Sequence, residues 1–162
     1  MKSTRKSNNI NDYYQNLPKK RMGAGVLIFN KKNELLITKT NYKEGRTIPG
    51  GVVDKNESPR EACLREVREE IDIALKDIRF LALDYTSPEG DKSESLQFIF
   101  YGGVIDETAI AQIKLGEDEI TEYKFADIET ALSLLNKKLA KRIPRCMETL
   151  KNNCPIYLES QE

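Results

Sequence analysis

One segment, Pro49 to Ile73, constrains the fold more than any other part of the 162-residue sequence. It opens with a proline and paired glycines, continues through a polar loop and ends in a pattern that predicts a helix. Ser58, Pro59 and Glu61 are typical of a helix start, because they supply an N-cap, a proline at the first helical position and a capping-box partner. The helix is therefore predicted to begin at Ser58.

The predicted helix has two distinct faces. At about 100° per residue, one stripe of apolar side chains would pack into a core. This stripe consists of Cys63, Leu64, Val67 and Ile71. Glu66, Glu69 and Glu70 fall together within an adjacent arc of about 100°, with Arg65 and Arg68 on its flank. Like charges at these spacings repel by roughly a few tenths of a kcal/mol per pair on an exposed helix, so the grouping needs an explanation.

A divalent cation would explain the grouped glutamates. Mg²⁺ takes oxygen ligands and retains several waters, which leaves positions for the phosphates of a substrate. The alternative is a solvated charged face, which is the usual role of helices rich in glutamate and arginine. The helix by itself leaves both interpretations open.

The spacing across the whole segment favours the metal site. Gly51 is followed by five residues, Glu57, seven residues and then the run REVREEIDI from Arg65 to Ile73. This pattern resembles the Nudix hydrolase box, in which Gly, five residues, Glu and seven residues precede Arg-Glu-apolar-any-Glu-Glu-any-Gly-apolar. The closing glycine is the one fixed position that differs, and here it is Asp72. A glycine that ends a helix commonly adopts the left-handed conformation, so Asp72 is predicted to adopt it at some cost.

The resemblance implies a set of site residues. In the family the helix carboxylates bind Mg²⁺ or Mn²⁺, which bridges a diphosphate and directs water at phosphorus. The implied metal ligands here are the Gly50 carbonyl, Glu66, Glu69 and Glu70. Glu57 and Arg65 correspond to the family's ion pair between loop and helix, and Arg65 is counted with the catalytic residues. The proton acceptor would be Glu66 or a glutamate outside the helix.

Further candidates lie outside the helix. Glu119 is the outside candidate for the proton acceptor, because some members carry a loop glutamate six residues before an aromatic, which here is Phe125. Lys43 and Arg46 could meet a terminal phosphate, and Phe125 could stack on a base. The three charged residues are also typical of a loop surface, and aromatic side chains in strands are more often part of the core. Many family members have tryptophan in place of Arg46, so an altered pocket edge is expected.

Composition excludes several classes of function. Histidine is absent, which excludes a Ser-His or Cys-His triad and a histidine-ligated zinc site. The 26 basic and 26 acidic residues give a formal net charge of zero, so no bulk attraction to nucleic acid or an anionic membrane is expected. Three cysteines without paired metal-ligand spacing indicate reduced thiols. With no apolar signal or membrane-spanning run, we expect a soluble, unexported, cytoplasmic protein.

The order of strands and helices predicts an α/β protein with a mixed sheet and helices packed on it, and the resemblance implies a Nudix-type α/β/α sandwich. Residues 1–10 are predicted to be a disordered lead, and residues 11–162 a single domain. Tyr13, Tyr14 and Leu17 could anchor the start of the chain on the domain. Pro144 either starts the last helix or kinks a longer one, and a start is favoured. Pro155 to Leu158 are predicted to add an edge strand.

The sequence therefore predicts a metal-dependent hydrolase that cleaves a diphosphate bond in a nucleoside diphosphate derivative, a nucleotide triphosphate or a related compound. One alternative is a Nudix fold that senses a ligand without turnover, although a sensor need not keep three mutually repelling carboxylates. Another is a pyrophosphohydrolase that processes RNA, which the zero net charge disfavours. The substrate, the metal preferred in cells and the oligomeric state, including a homodimer, stay open.

Overall fold

The structure is a computed structural model that describes residues 10–42, 44–116 and 119–160, without the side chains of Asn11 and Ser160. Its helices are α1 (Ile10–Gln15), α2 (Pro59–Ile71), α3 (Glu107–Ala111), α4 (Ile128–Leu134) and α5 (Lys137–Asn152). Its strands are β1 (Arg21–Asn30), β2 (Leu35–Thr40), β3 (Gly50–Val52), β4 (Arg79–Thr86), β5 (Ser95–Ile105), β6 (Ile120–Ala126) and β7 (Ile156–Ser160).

The strands form one mixed sheet of seven strands. Their order is β6-β2-β1-β5-β4-β7, and β3 pairs with β1. The pairs β1/β5 and β4/β7 are parallel, whereas the other pairs are antiparallel. The last eight residues of β1 are all buried, as expected for a central strand that is covered on both faces. The predicted mixed sheet is confirmed, and β7 forms the predicted edge strand beside β4.

Alternating side chains of the sheet build two hydrophobic cores. Val26 and Ile28 of β1 pack toward α2, in a cluster with Cys63, Val67 and Ile71. Their neighbours on β1 face the opposite side and pack with residues of α4 and α5. This second cluster includes Leu27, Phe29, Ala131, Leu139, Ile143 and Cys146. Helices therefore cover both faces of the sheet, which confirms the expected α/β/α sandwich.

The prediction that Pro144 starts the last helix is wrong. The helix α5 begins earlier, because the Asn136 side chain accepts a hydrogen bond from the Leu139 N–H at 3.0 Å and caps it. Pro144 lies inside α5. The buried stripe of Leu139, Ile143 and Cys146 runs past it without a break. Packing of this stripe on the sheet therefore holds the helix together across the missing backbone N–H.

The start of the chain is less attached to the domain than expected. Ile10 already belongs to α1, whereas the rest of the predicted disordered lead, residues 1–9, lies outside the described residues. Tyr13, Tyr14 and Leu17 are 53%, 64% and 39% exposed, so the prediction that they anchor this segment is wrong. Within the described ranges, none of the helices has the length and apolar character needed to span a membrane.

Candidate active site

The ends of α2 follow the sequence prediction closely. Ser58 accepts a hydrogen bond from the Glu61 N–H at 3.2 Å, and the Glu61 carboxylate accepts one from the Ser58 N–H at 2.9 Å. This reciprocal pair is the predicted capping box. At the other end, Asp72 has φ 54° and ψ 31°, which confirms the predicted left-handed conformation. With the apolar stripe buried against the sheet, the rotation of α2 is fixed, and Glu66 and Glu70 face β3.

The paired glycines let β3 approach both β1 and α2. Gly50 has φ 139°, and a Cβ atom there would collide with the Ala24 backbone carbonyl. A Cβ atom on Gly51 would instead collide with the Glu66 carboxylate. The Gly50 N–H donates to Glu70 Oε2 at 2.9 Å, and Glu70 is only 4% exposed. The glycine turn and the glutamates of α2 are therefore in direct contact.

Arg65 connects the loop to the glutamates. Its Nε and Nη2 donate to the two oxygens of Glu57 at 2.8 and 3.0 Å, which confirms the ion pair implied by the family resemblance. Its Nη1 donates to Glu66 at 2.9 Å and to Glu69 at 3.0 Å. Hydrogen bonds from Arg65 lower the pKa of Glu57 to about 2. Arg65 is thus a basic neighbour that offsets the repulsion between the helix carboxylates.

Arg68, the second arginine on this helix, points elsewhere. Its Nε lies 3.5 Å from Asp72 Oδ1 at the exposed end of the helix.

The electrostatics of the site show that the carboxylates converge. Burial raises the pKa of Glu66, against hydrogen bonds from Arg65 that lower it and with added repulsion from Glu69 and Glu119. The pKa of Tyr42 is raised to about 12, first by desolvation and then by its hydrogen bond to Glu119, with smaller contributions from Glu70 and Glu66. Glu119, which is distant in sequence, therefore lies within electrostatic reach of the glutamates on α2.

Glu66, Tyr42 and Glu119 face one cleft of about 830 Å³. Gly50, Gly51, Glu66, Tyr42 and Glu119 line it at one end. Its floor is the face of β1 and β5 that carries Gly25, Gln97 and Ile99, and Leu139 and Arg142 of α5 form a wall. A cleft of this volume is large enough for a nucleotide.

The structure places two of the predicted substrate-binding residues outside this cleft. The Arg46 guanidinium pairs with Glu122 of β6 at 2.6 Å. Phe125 packs with the core cluster beneath α2, edge to face with Tyr123 at 6.5 Å between ring centroids. Neither is among the described residues that line the cleft. Lys43 lies outside the described residues.

Glu66, Glu69 and Glu70 offer the oxygen donors that a divalent metal ion requires. Within residues 10–42, 44–116 and 119–160, no group of three Asp, Glu, Cys or His side chains is already arranged around a metal position. Glu66 and Glu69 are turned to Arg65, and Glu70 to the Gly50 N–H. The chemistry nevertheless fits a hard cation, because the ligands are carboxylate oxygens and a cationic group already lies between two of them. A metal would take the place of the Arg65 Nη1 contacts.

One ion pair at the cleft was not predicted from the sequence. Arg142 of α5 and Asp84 of β4 form a buried ion pair, and Arg142 lines the cleft wall. A signal was present in the sequence: Asp84 interrupts the strand FLALDYT, and Arg142 follows the buried stripe of α5 at helical spacing. Charged residues at core positions are rarely buried unless they are paired, so two such positions suggest one another as partners.

The sequence is similar to known proteins over part or most of its length. The family model described as NUDIX domain matches residues 19–150. The RNA pyrophosphohydrolase of Hydrogenovibrio crunogenus is 36% identical over 61 residues, and that of Hamiltonella defensa subsp. Acyrthosiphon pisum is 38% identical over 61 residues. Each match covers 38% of this chain and 37% of the relative, so the chain spans little more than a third of the length of these curated relatives.

Solved structures show the relationship over a larger part of the chain. The MutT protein from Methanosarcina mazei Go1 is 25% identical with a TM-score of 0.69, and the match covers 83% of this chain and 99% of that one. The NUDIX domain of Shewanella oneidensis NrtR, complexed with ADP ribose, shares the fold at 15% identity with a TM-score of 0.70, covering 88% of this chain and 99% of that one. With the box residues in place on α2 and the family model matched from residue 19 to residue 150, the chain belongs to the Nudix hydrolase family.

Proposed function

We propose that the protein is a metal-dependent pyrophosphohydrolase that cleaves a diphosphate bond in a nucleotide or a nucleoside diphosphate derivative. The observation that carries this proposal is the convergence of carboxylates at one end of a nucleotide-sized cleft. Glu66 and Glu119 line that end together with the glycine turn, and Glu70 contacts the turn directly. Membership of the Nudix family supports the same reaction.

The proposal assigns Mg²⁺ or Mn²⁺ to the Gly50 carbonyl and to the carboxylates of Glu66, Glu69 and Glu70. Such an ion would neutralise the charge of the diphosphate and lower the pKa of bound water. The chain's own residues prepare the site for it. Glu57 holds Arg65 through two hydrogen bonds, and before metal binds Arg65 in turn keeps the carboxylates of Glu66 and Glu69 side by side.

Two carboxylates are candidates for the proton acceptor. Glu66 is a proposed metal ligand and is engaged by Arg65. Glu119 accepts a hydrogen bond from the Tyr42 hydroxyl and lines the same cleft as the glycine turn. We favour Glu119, because a group that does not also bind the metal can take the proton from the attacking water.

Glu70→Gln tests the metal assignment. The amide oxygen of glutamine can still accept the hydrogen bond that the Gly50 N–H donates, so the fold should persist. Loss of one anionic ligand should reduce turnover by orders of magnitude, whereas the metal-free protein should gain a few tenths of a kcal/mol from reduced repulsion. Glu148→Gln is the matched control, since Glu148 pairs with Arg145 on the exposed side of α5. Full turnover by Glu70→Gln at low Mg²⁺ would contradict the proposal.

The assay is a panel of diphosphate compounds incubated with Mg²⁺ or Mn²⁺, with the products separated by chromatography. We expect two phosphorylated products, or a nucleotide and inorganic pyrophosphate. Tight binding with an unchanged ligand after long incubation would instead favour the ligand sensor. Release of inorganic phosphate alone would indicate a phosphatase.

A second candidate substrate is the 5′ end of RNA. It is supported by the two RNA pyrophosphohydrolases that match part of this chain. The formal net charge of zero argues against strong binding of a polyanion through bulk electrostatics. A short RNA with a 5′-triphosphate therefore belongs in the panel, beside the nucleoside triphosphate of its first nucleotide. Faster release of pyrophosphate from the RNA than from the triphosphate would identify RNA as the substrate.

A further inference from the structure

A buried ion pair joins α5 to β4 at the wall of the cleft. Arg142 Nε donates to Asp84 Oδ2 at 2.6 Å. The two side chains are 6% and 0% exposed, and Arg142 lines the cleft. A pair this deeply buried loses much of its attraction to the desolvation of both charges, so apolar side chains could join α5 to the sheet equally well. Stability alone therefore does not account for it.

The strand register places this pair in the same row of the sheet as the glycine turn. Val52 of β3 pairs with Gly23, Gly23 pairs with Gln97, and Gln97 pairs with Asp84. Neighbouring strands lie about 4.8 Å apart, so three spacings separate Val52 from Asp84 by about 14 Å. This span is comparable with the length of a nucleotide from its base to its outer phosphates. A substrate whose diphosphate lies at Glu66 is therefore long enough to bring its base to the ion pair.

The charge of the pair determines which groups it can bind. A guanidinium carries five N–H donors, and the contact with Asp84 uses the one on Nε. The terminal nitrogens carry the other four donors, and Arg142 lines the cleft. Asp84 neutralises the positive charge locally, so a phosphate placed here would meet a buried carboxylate behind the arginine. A neutral group with two adjacent acceptors has no such penalty.

We infer that Arg142, positioned by Asp84, is a specificity-determining residue that selects a 6-oxopurine base such as guanine. Guanine presents two neighbouring acceptors, O6 and N7, which arginine binds with two hydrogen bonds. Adenine presents an amino donor in place of O6, and this donor would face the N–H groups of Arg142. The inference rests on the proposed function, which places the diphosphate at the glutamates.

Thr86 supplies an independent observation at the same place. It lies two residues after Asp84 on β4, so the two side chains share one face of the sheet. Thr86 lines the cleft, and its Oγ1 atom is buried without a hydrogen-bond partner among the described residues. Buried hydroxyls in native proteins are normally paired, and a polar atom of a bound base would supply the partner.

Binding of nucleoside monophosphates to the metal-free protein tests this inference without requiring turnover. GMP, AMP, UMP and CMP are titrated by calorimetry into the wild-type protein. GMP should bind about tenfold more tightly than the other three, as expected for one good bidentate contact. Equal binding of GMP and AMP by the wild-type protein would overturn the inference.

Arg142→Lys separates the shape of the arginine from its charge. Lysine keeps a positive charge beside Asp84 but lacks the planar fork, so the preference for GMP should fall to about twofold or less. Arg145→Lys is the matched control on the exposed side of α5 and should keep the preference. Retention of the preference in Arg142→Lys would overturn the inference. Equal loss of affinity for GMP, AMP and inorganic pyrophosphate would also overturn it, since that result indicates a phosphate subsite.

Two further variants guard against a merely structural effect. The double variant Arg142→Met/Asp84→Leu removes both charges and leaves no unpaired charge in the core, so it serves as the test if Arg142→Lys fails to fold. It should also lose the preference for GMP. Thr86→Val should weaken GMP binding a few-fold without lowering the melting temperature. A double variant that still prefers GMP would refute the role of the pair.

The outcomes separate this inference from the proposed function. A preference for GMP without hydrolysis of any compound in the panel would keep the base site and reject the hydrolase. Hydrolysis of nucleoside triphosphates at equal rates for all bases would support the hydrolase and reject the base site.

Discussion

Replacement of Asp72 at the end of α2 tests the observed backbone conformation directly. Asp72 has φ 54° and ψ 31°, and its N–H donates to the Arg68 carbonyl at 3.1 Å. A side chain in this conformation brings its Cβ atom close to the backbone, which glycine avoids. The carboxylate also lies at the negative end of the helix dipole, where a negative charge is unfavourable. Asp72→Gly removes both costs.

The structure also shows what the substitution would lose. The Arg68 Nε lies 3.5 Å from the Asp72 carboxylate, but both side chains are largely exposed, so this pair contributes about 0.3–0.5 kcal/mol. Relief of the left-handed strain should contribute about 1 kcal/mol, and removal of the charge about 0.5 kcal/mol. The extra freedom of glycine in the unfolded chain subtracts about 0.4–1 kcal/mol. The expected net gain in unfolding free energy is therefore about 0.5 kcal/mol.

Urea unfolding of Asp72→Gly, Asp72→Ala and the wild-type protein is the measurement. Alanine keeps the Cβ penalty of about 1–2 kcal/mol, whereas glycine gains about 0.4–1 kcal/mol of freedom in the unfolded chain, so the unfolding free energy of the glycine variant should exceed that of the alanine variant by about 0.5–1 kcal/mol. For a chain of this size that difference corresponds to about 1–4 °C in melting temperature. Turnover should change less than about tenfold, because Asp72 is not among the described residues lining the cleft. Equal stability of the two variants would refute the left-handed conformation in solution.

Three further results are expected. The pKa of Glu57 is lowered from 4.5 to about 2, so the stabilisation that it provides should be complete above about pH 5 and lost as the pH falls toward 2. The stability gap between the wild-type protein and Glu57→Gln should therefore close in acid, and a gap independent of pH would contradict the ion pair. A thiol reagent should modify Cys154 in the folded protein and reach Cys63 and Cys146 only in denaturant, because burial raises the pKa of those two thiols to about 12. Rapid modification of more than one thiol would show that these cores open. Pro144→Ala restores a backbone hydrogen bond inside α5 and should raise the unfolding free energy by about 1–2 kcal/mol, as measured by urea unfolding. A loss of stability would mean that packing of the proline ring outweighs the restored bond.

Local features of the chain were predictable from the sequence because short-range chemistry determines them. The capping box at Ser58, the left-handed Asp72 and the pair between Glu57 and Arg65 all depend on residues close along the chain. The mixed sheet was predictable because the order of strand and helix patterns along the chain favours this architecture. These features place the glutamates of the candidate site on one side of one helix.

Features that depend on distant parts of the chain were not predictable in the same way. The partner of Arg46 is Glu122, and the two meet because Thr47 bridges to Thr38 of β2 while β2 pairs with β6. Phe125 was expected in the pocket, but the face of β6 on which it lies packs beneath α2. Pro144 was expected at a helix start, because a local rule for proline does not include the burial that carries α5 past it. Each difference reflects tertiary packing.

The four hydrogen bonds from Arg65 to three carboxylates have a consequence for the protein before any metal arrives. Arg65 acts as a built-in counterion, so the acidic cluster is already partly neutral in the metal-free state. Entry of Mg²⁺ would then be an exchange of one cation for another rather than the addition of charge to a bare anionic surface. The affinity for metal would be set by how firmly Glu57 retains the arginine, and chelation of the metal would leave a folded protein.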